Sequence, residues 1–365
     1  SSQELGKAGE FVCNRRFVLT TTIISIDAMG GDHGPEVTVP ALASALDAHP
    51  NVEFLIYGDQ AAIGPHLDKF KKVKAVSTIV HCEMAISMDA KPSHALRQGR
   101  KVSGMWQSID AIKAGSAHAC VSAGNTGALM AMAKIILRTL PGIERPAIAC
   151  IWPTTRGESV VLDVGANIGG TAAQYSQFAV MGVAYAKTVF GLQNPTVALL
   201  NIGLEDVKGT EGVKEAAELL SQSDLNFTGF IEGDGIGQGA VDVVVTDGFT
   251  GNIALKTAEG TARQIGGYLR QAMSSSLMSK IGYLFSSSAF ATLRARMDPN
   301  AANGGMFLGL NGIVVKSHGG ADIDGFAVAV GVAIDVAEAN MLETIARDIE
   351  KMQSLLDDAW AGTLT

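Results

Sequence analysis

Residues 119–128 read Ala-Cys-Val-Ser-Ala-Gly-Asn-Thr-Gly-Ala, and a segment rich in Met and Ala continues to Leu137. This pattern predicts a buried strand, a turn punctuated by glycine, and a helix. Such a turn leaves backbone N–H groups free at the start of the helix, where they can bind an anion. The stretch therefore predicts a site for a phosphate-like group.

The same plan returns at residues 241–256, which read Val-Asp-Val-Val-Val-Thr-Asp-Gly-Phe-Thr-Gly-Asn-Ile-Ala-Leu-Lys. We call residues 119–137 the first cassette and residues 241–256 the second cassette. Two strand–turn–helix cassettes indicate phosphate chemistry on an α/β sheet. We expect one loop from each half of the chain to face a shared cleft.

Composition limits the classes of protein that fit. The chain has 365 residues, of which 47% are hydrophobic and 18% charged, so it can bury a large core as one α/β unit or as two lobes. The 42 glycines and the low aromatic content of 6% suit many tight turns between strands and helices. A net charge of −8 argues against general nucleic-acid binding.

Neither a disulfide framework nor a metal site is indicated. The four cysteines are far apart and form no CxxC pair, which is typical of free thiols in a reducing cytoplasm. The seven histidines form no HExxH motif, and no carboxylate cluster has the spacing of a metal site. We predict no metal and no cofactor.

Four segments follow from the hydrophobic pattern. Residues 1–22 contain no signal-peptide core and are interpreted as a leader or an artificial extension. Residues 23–352 are expected to form a single α/β/α catalytic unit with two lobes and a central cleft. Within this unit, residues 255–300 are expected to form a helical protrusion, and residues 353–365 a C-terminal tail. No apolar run reaches the roughly 20 residues that a membrane-spanning helix needs.

Short apolar runs alternate with helical segments along the chain, which predicts βαβ units and a mainly parallel sheet. Polar residues follow several strands, for example at 27–32, 163–167, 201–203 and 316–320. In open α/β sheets the carboxyl ends of the strands form the ligand-binding edge. The chain is predicted to end in one long helix from about Ile323 to Met352.

Seven motifs in this order resemble the bacterial phosphate acyltransferase family of phospholipid synthesis (PlsX type). The resemblance covers about residues 23–346. The motifs are Asp-Ala-Met-Gly-Gly-Asp at 27–32, Lys-Pro-Ser at 91–93, Ser-Ala-Gly-Asn-Thr-Gly-Ala at 122–128, Leu-Asp-Val-Gly-Ala-Asn at 162–167, Asn-Ile-Gly at 201–203, Thr-Asp-Gly-Phe-Thr-Gly-Asn at 246–252 and Ser-His-Gly at 317–319.

The resemblance implies transfer of a fatty-acyl group from acyl carrier protein to inorganic phosphate, giving acyl phosphate for phosphatidic acid synthesis. It also implies a three-layer α/β/α fold, similar to isocitrate and isopropylmalate dehydrogenases and shared with phosphotransacetylases. A cytoplasmic homodimer that associates peripherally with the membrane is implied as well. The family usually has acidic residues near position 169 and at position 204, where this chain has Gly169 and Leu204. Residues 168–170 and Leu204 are therefore left out of the predicted site.

The predicted site rests on the chemistry of the reaction. Phosphate is already an oxyanion nucleophile, so the reaction needs positioning and charge neutralisation more than a strong base. His318 is the candidate proton donor for the leaving thiolate, and a turn-capping role is the alternative. The candidate catalytic residues are His318, Lys256, Asn252 and Asn125. The candidate phosphate- and substrate-binding residues are Gly124, Thr126, Gly127, Lys91, Arg97, Asn167, Asn201, Lys208, Asp247 and Gly251.

Several of these side chains have a second interpretation. Lys91 and Arg97 are as readily explained as solvent-exposed cations at a helix entry. Asp163 and Asp247 are expected to orient neighbouring donors, because a carboxylate beside phosphate is costly. Asp27 and Asp32 suit N-capping as well as the geometry of the site.

Two surfaces are predicted in the 255–300 segment. From Lys256 to Met297 there are six basic residues and one acidic residue, which would attract an acidic carrier protein, with Arg263 and Arg270 as the candidate contacts. A solvated helix surface is the alternative. Leu277, Ile281, Leu284 and Phe285 fall on one helix face and are candidate membrane contacts. A dimer contact or packing on the core would explain the same stripe.

Two other functional classes stay open from the residues alone. A phosphotransacetylase-like enzyme that uses acyl-CoA is the close variant. A non-catalytic scaffold for the carrier protein or the membrane could be built on the same fold. A decarboxylating dehydrogenase is disfavoured, because no Asp cluster suited to Mg²⁺ and no GxGxxG fingerprint after the first strand is present.

Overall fold

The computed structural model describes residues 21–296 and 303–362. Residues 1–20 of the predicted leader lie outside the described residues, and Thr22 already belongs to the first strand. The elements in chain order are β1 (Thr22–Asp27), α1 (Pro35–Ala48), β2 (Val52–Gly58), α2 (Gln60–Leu67), α3 (Lys71–Ala75), β3 (Ser77–His81), α4 (Pro92–Gly99), α5 (Gly104–Lys113), β4 (Ala119–Ser122), α6 (Thr126–Leu137), β5 (Ala147–Thr154), β6 (Gly157–Leu162), α7 (Ala172–Phe190), β7 (Thr196–Leu200), α8 (Glu211–Ser221), β8 (Asn226–Ile231), α9 (Gly233–Gln238), β9 (Val243–Val245), α10 (Gly248–Ser274), α11 (Leu277–Phe285), α12 (Ser287–Arg296), β10 (Gly305–Leu308), β11 (Ile313–Lys316), α13 (Ile323–Glu338) and α14 (Met341–Gly362).

All of these strands belong to one sheet, in the order β3-β2-β1-β4-β11-β10-β5-β6-β9-β7-β8. Alternate residues along the central strands face two separate cores, as the period of two in a strand requires. Ile24, Val121 and Leu162 point to the core covered by α1, α7, α13 and α14. Cys120 and Val161 point to the core covered by α4, α5, α6 and α9. The predicted three-layer α/β/α fold with a mainly parallel sheet is therefore confirmed.

The sheet reverses direction in its middle. The strands β3, β2, β1, β4 and β11 are parallel neighbours, and so are β6, β9, β7 and β8. Between the two groups, β10 is antiparallel to both β11 and β5, and β5 is antiparallel to β6. These three reversals make β4 and β9, the strands of the two cassettes, run in opposite directions.

The two cassette turns therefore leave the sheet at opposite edges. Five strand spacings, about 24 Å in total, also separate β4 from β9. The sequence pattern alone led us to expect the two loops to meet. The two turns do not meet, because β4 and β9 run in opposite directions and are far apart in the sheet. Both facts depend on strand pairing between distant segments of the chain.

The C-terminal region differs from the single helix that we predicted. Helices α13 and α14 are bent by 65° relative to each other at a short break. Ala339 at this break has an extended backbone, with ψ 151°, which ends α13. Helix α14 continues to Gly362, so the segment expected to be a tail from residue 353 is helical as far as Gly362. Leu356 packs in the main core with an exposure of 4%.

Helices α10 and α11 are poorly covered by the rest of the described chain. In the 27 residues of α10 only Gly248 and Gly251 are buried, and α11 has no buried residue among those described. Within the described ranges, no single helix is long and apolar enough to span a membrane.

Candidate active site

The turn of the first cassette leaves several N–H groups open. Asn125 caps α6, because its Oδ1 accepts a hydrogen bond from the N–H of Ala128 at 2.8 Å. Its Nδ2 donates to the carbonyl oxygens of Met88 and Ala90, which ties the 88–90 loop to the turn. The backbone N–H groups of residues 125–127 have no acceptor within the described part of the chain. They therefore form a ready anion site at the start of a twelve-residue helix.

The start of α4 lies beside this turn. A Cβ added at Gly127 would come within 2.8 Å of Pro92 Cγ, so glycine permits the close approach of the two helices. Lys91 caps α4 through its backbone only and is exposed next to Pro92. Arg97 is also exposed but lies in the last turn of α4. Lys91 is therefore close to the first-cassette turn, whereas Arg97 is farther away.

A buried carboxyl group supports the turn from below. The Ser122 hydroxyl donates to Asp27 Oδ2 at 2.7 Å and accepts from the N–H of Gly124 at 3.0 Å. The Gly124 N–H is thus already used. Burial raises the pKa of Asp27 from 3.8 to about 6, against the opposing effects of the Ser122 hydrogen bond and the Lys316 charge. A Cβ at Gly30 would lie 2.6 Å from the Gly124 nitrogen. Glycine at position 30 therefore allows the turn after β1 to contact the turn of the first cassette.

Lys316 is a site residue that the sequence analysis missed. It ends β11, directly opposite Ser122 in the sheet register. Its Nζ donates to the carbonyl oxygen of Ala123 at 3.2 Å and also to that of Ser317. Burial lowers the pKa of Lys316 to about 8, although Asp27 pulls the pKa upward. The sequence signal for Lys316 was its position directly after the apolar run 313–315. A lysine at the end of a buried strand lies near the edge of the sheet and is itself partly buried.

His318 follows Lys316 in the next turn. Its backbone N–H donates to Asn303 Oδ1 at 2.8 Å, and its ring Nδ1 accepts from the N–H of Gly320 at 3.1 Å. The neutral ring therefore carries its proton on Nε2. Burial, followed by the charge of Lys256, lowers the pKa of His318. No motif in the sequence indicated Asn303, which is buried and also donates to Ser317 Oγ.

The turn of the second cassette is closed by a carboxylate. Asp247 Oδ1 accepts from the N–H groups of Phe249 and Thr250 at 3.0 and 3.1 Å. Asp247 Oδ2 accepts from the Thr250 hydroxyl, and the N–H of Gly251 donates to the Asp247 carbonyl. The first turn of α10 is therefore already satisfied by a negative group, which opposes binding of a second anion there.

Asp163 organises the loop against which α10 begins. Its two oxygens accept from four backbone N–H groups and from Asn167 Nδ2, and burial raises its pKa. Asn167 Nδ2 donates its second hydrogen to the carbonyl of Pro146 at 2.8 Å. Asn252 Nδ2 donates to the carbonyl of Val164 at 3.0 Å. The amide donors of Asn167 and Asn252 thus hold the loop and α10 together.

Helix α10 carries Lys256 back towards the first cassette. The Lys256 ammonium is 3.1 Å from Glu259 Oε2 and affects the pKa values of both His318 and Lys316. Burial, followed by the charge of Glu259, raises the pKa of Cys150, which lies on β5. Helix α10 therefore starts at the Asp163 loop and brings the Lys256 charge near Lys316 and His318 at the end of β11.

The structure divides the predicted residues into two groups. One group comprises Gly124, Asn125, Thr126, Gly127 and Lys91 with His318 and Lys256, to which Lys316 is added. The other group lies at the carboxyl ends of β6, β7 and β9, which are parallel neighbours. It contains Asn167, Asn201, Lys208, Asp247, Gly251 and Asn252. In this second group Asn201 Nδ2 donates to the Lys208 carbonyl, and the Lys208 side chain is exposed.

The predicted surfaces lie on α10 and α11. Arg263 and Arg270 are exposed on α10. Leu277, Leu284 and Phe285 on α11 have exposures of 77%, 71% and 84%, and Ile281 is exposed as well. Arg294 and Arg296 belong to the predicted basic set, but their side chains lie outside the described part of the chain.

The chain matches a known protein family and several known relatives over most of its length. A family model described as "Fatty acid synthesis protein" matches residues 22–344. The "Phosphate acyltransferase" of Mesorhizobium japonicum is 59% identical over 330 residues, covering 90% of this chain and 93% of that protein. The protein of the same name from Afipia carboxidovorans is 60% identical over 325 residues, covering 88% of this chain and 92% of that protein.

Among solved structures, the chain is similar to two phosphotransacetylases. The EutD phosphotransacetylase from Staphylococcus aureus aligns with a TM-score of 0.57 at 19% identity, covering 87% of this chain and 94% of that chain. A phosphotransacetylase from Streptococcus pyogenes gives the same TM-score and coverage at 20% identity. At this level of identity the likeness establishes the fold alone.

Proposed function

The chain belongs to the family of the phosphate acyltransferases, and we propose that it transfers a long-chain acyl group from acyl carrier protein to inorganic phosphate. The product is acyl phosphate, which enters phosphatidic acid synthesis. The observation that carries the proposal is the open first turn of α6, where the N–H groups of residues 125–127 have no acceptor among the described residues. Lys316 donates to the carbonyl of the neighbouring Ala123, and His318 follows Lys316 by two residues. This arrangement suits a phosphate nucleophile that needs positioning rather than a strong base.

In the proposed reaction the N–H groups of residues 125–127 and the Lys256 ammonium hold the phosphate. One phosphate oxygen attacks the carbonyl carbon of the thioester and forms the new C–O bond. Negative charge then develops on the carbonyl oxygen. When this tetrahedral intermediate collapses, the C–S bond breaks and the sulfur leaves with its electron pair as a thiolate.

His318 is proposed to stabilise the carbonyl oxyanion. The lowered pKa of His318 favours a neutral ring near pH 7. A neutral ring with its proton on Nε2 is a hydrogen-bond donor, but a poor source of a whole proton. A thiol has a pKa of about 8.5, so the thiolate can leave and take its proton from water. Hydrogen-bond donation therefore fits His318 better than full proton transfer.

Lys316 is proposed as a positioning residue. Its Nζ is bonded to the carbonyls of Ala123 and Ser317, so it fastens the first-cassette turn to the His318 turn. It also places a cation behind the phosphate site, and cations there stabilise the developing charge.

The direct test is to incubate the purified protein with long-chain acyl carrier protein and inorganic phosphate, and to detect acyl phosphate by mass spectrometry. Formation of acyl phosphate together with free carrier protein supports the proposal. A parallel reaction with long-chain acyl-CoA tests the phosphotransacetylase-like alternative. If neither donor yields acyl phosphate, the non-catalytic scaffold becomes the better description.

We further propose that α10 binds the carrier protein through Arg263 and Arg270. Both side chains are exposed on a helix with little cover from the described chain. Exposed cations steer an acidic partner and make its association sensitive to salt. The variant Arg263→Glu/Arg270→Glu should weaken the carrier-protein interaction and flatten its salt dependence. Lys71→Glu/Lys351→Glu changes the same charge elsewhere and should leave both unchanged; equal effects of the two variants would reject the docking site.

Membrane contact is proposed for α11, which exposes Leu277, Ile281, Leu284 and Phe285. An interfacial helix buries such a stripe among lipid head groups, which suits an enzyme with a lipid-like product. Leu284→Glu/Phe285→Glu should abolish sedimentation with anionic vesicles and spare activity in solution. Continued sedimentation would contradict the proposal. Loss of activity with dissociation of a homodimer would instead assign the stripe to the dimer interface.

A further inference from the structure

A groove on the outer side of α5 and α6 is separate from the candidate active site. Its volume is about 530 Å³, within the range of small-molecule sites. The first residue of the groove lining is Arg100, which directly follows Gly99. A Cβ added at Gly99 would lie 3.1 Å from Met132, which is in the middle of α6. Ile135 is eight residues beyond Gly127, or about 12 Å along α6 from the open turn. The lining includes Arg100, Lys101, Trp106, Asp110, Lys113 and Ile135.

The groove is strongly cationic for this chain. Arg100, Lys101 and Lys113 face it together with one acidic residue, Asp110, which leaves a local charge of +2 in a protein of net charge −8. Within residues 21–296 and 303–362, none of these three cations forms a salt bridge. Unpaired cations around one concave surface favour a ligand with more than one negative charge.

The cationic end of the groove also has a planar group. The Arg100 guanidinium carbon lies 5.9 Å from the centroid of the Trp106 ring. Trp106 is 6% exposed, so the indole is fixed in the core, whereas Arg100 is exposed. A guanidinium stacks on flat rings as well as on indole, and a nucleic-acid base is such a ring. The backbone at Lys101 is held by Gln107, whose Nε2 donates to the Lys101 carbonyl.

From these features we propose that the groove binds a nucleotide with two or more phosphates, either free or as the nucleotide part of coenzyme A. Lys101 and Lys113 bind the phosphates, and the Arg100 guanidinium stacks on the base. Gln107 and Asp110 supply a hydrogen-bond donor and an acceptor, and Ile135, which is 52% exposed, adds an apolar contact. This site goes beyond the proposed acyl transfer and does not depend on it.

The experiment measures binding by calorimetry at low salt, with ADP, GDP, coenzyme A and pyrophosphate as separate probes. ADP and GDP should bind to the wild-type protein more tightly than pyrophosphate does. Lys101→Glu/Lys113→Glu should weaken ADP binding roughly tenfold or more, because two charge-assisted contacts are lost. Lys71→Glu/Lys351→Glu is the matched control and should leave ADP binding unchanged.

Arg100→Lys separates charge from stacking, because lysine keeps the cation but has no planar group. This variant should weaken ADP binding and leave pyrophosphate binding unchanged. Equal binding of ADP and coenzyme A supports a nucleotide site that accepts either source. No ADP binding by the wild type, binding insensitive to the charge reversal, or pyrophosphate binding as tight as ADP binding would each overturn the proposal. Because the readout is binding, a failure here is distinct from a failure of acyl transfer.

Discussion

The two cassettes share a sequence plan but differ at the first turn of their helices. In the first cassette a neutral amide, Asn125, caps one N–H group, and the N–H groups of residues 125–127 stay open. In the second cassette a carboxylate, Asp247, accepts from two N–H groups and a hydroxyl. A strand, a glycine turn and a helix are therefore not sufficient for an anion site. The charge of the capping side chain decides whether the helix start is available.

The two helices also have different surroundings. Helix α6 packs against both α4 and α5 and buries Leu129, Met132 and Ile136. Helix α10 is anchored by its first turn and then leaves the packed body. In the proposed reaction the first cassette is therefore a fixed phosphate site, which we call the cradle, whereas the second cassette brings Lys256 towards this cradle and is proposed to present its outer end to partners.

The anchor of the second cassette should be the most sensitive point. A Cβ at Gly251 would lie 2.0 Å from the carbonyl oxygen of Asp163. Gly251→Ala should therefore destabilise the fold by more than about 4 kcal/mol, measured by urea denaturation. Gly260→Ala is the control on the same helix, because a Cβ there meets nothing within 4 Å. A Gly251→Ala protein as stable as Gly260→Ala would mean that α10 does not depend on this contact.

Removal of the cation that α10 delivers should have the next largest effect. Lys256→Ala should lower turnover roughly 10²–10³-fold, the usual cost of losing one preorganised charge donor. The side chain of Lys256 is 54% exposed, so the fold should stay intact. Asn252→Ala acts through the position of α10, since its amide holds the Val164 carbonyl, and should cost roughly tenfold.

Turnover is measured with saturating carrier-protein substrate, and Lys280→Ala on α11 is the charge control. Wild-type turnover in a well-folded Lys256→Ala protein would remove Lys256 from the phosphate site. A loss in Asn252→Ala as large as that in Lys256→Ala would instead give the second cassette a direct role in the chemistry.

Exchange of the capping side chains tests whether their charge decides which helix start binds phosphate. Asn125→Asp places a carboxylate at the open turn and should raise the KM for phosphate roughly tenfold by repulsion. Asn125→Ser also caps a helix and loses the same contacts to the 88–90 loop, but it adds no charge. Asp247→Asn should leave the KM within about twofold and cost less than about 1 kcal/mol of stability. If Asn125→Ser raises the KM as much as Asn125→Asp, geometry and not charge defines the cradle.

The sequence predicted the helix and strand pattern and the first-cassette turn well, because both are local. The caps at Asn125 and Asp247 follow from residue type and position. The opposite directions of β4 and β9 could not be predicted, since they depend on pairing of β10 with β5 and of β5 with β6. Strand pairing joins segments far apart in sequence, and the short strand β10 gave little local signal.

The same limit applies to the site. Lys316 stands next to a recognised motif, but its bonds to Ala123 and Ser317 become visible only when β11 is placed beside β4. Asn167 and Asn252 were predicted as phosphate donors from their side-chain chemistry. Residue type gave no indication that backbone carbonyls already accept from both amides.

Each cassette turn has a buried carboxyl group next to it, Asp27 in the first and Asp163 in the second, and the two differ in the number of their hydrogen-bond donors. Asp163 accepts from five donors, whereas Asp27 accepts from the Ser122 hydroxyl and the Met29 backbone N–H and also feels the nearby Lys316 charge. Burial raises the pKa of Asp27 to about 6, so the folded protein holds this proton more tightly than the unfolded chain does. A raised pKa in the folded state gives stability that is fully present below the ordinary pKa of 3.8 and is lost as the pH rises from there through the folded pKa.

Asp27→Asn removes this titration. From about pH 5 to about pH 7 the wild-type protein should therefore lose about 1 kcal/mol of stability relative to Asp27→Asn, a small effect compared with those above. Urea denaturation of both proteins across this range measures the difference, and the other titrating groups cancel in it. Lys316→Met is the companion variant: without the lysine charge the pKa of Asp27 should rise further, so the total loss should be larger and should extend to higher pH. Identical slopes for wild type and Asp27→Asn would mean that Asp27 is ionised throughout, and the first cassette would then rest on a carboxylate as well satisfied as Asp163.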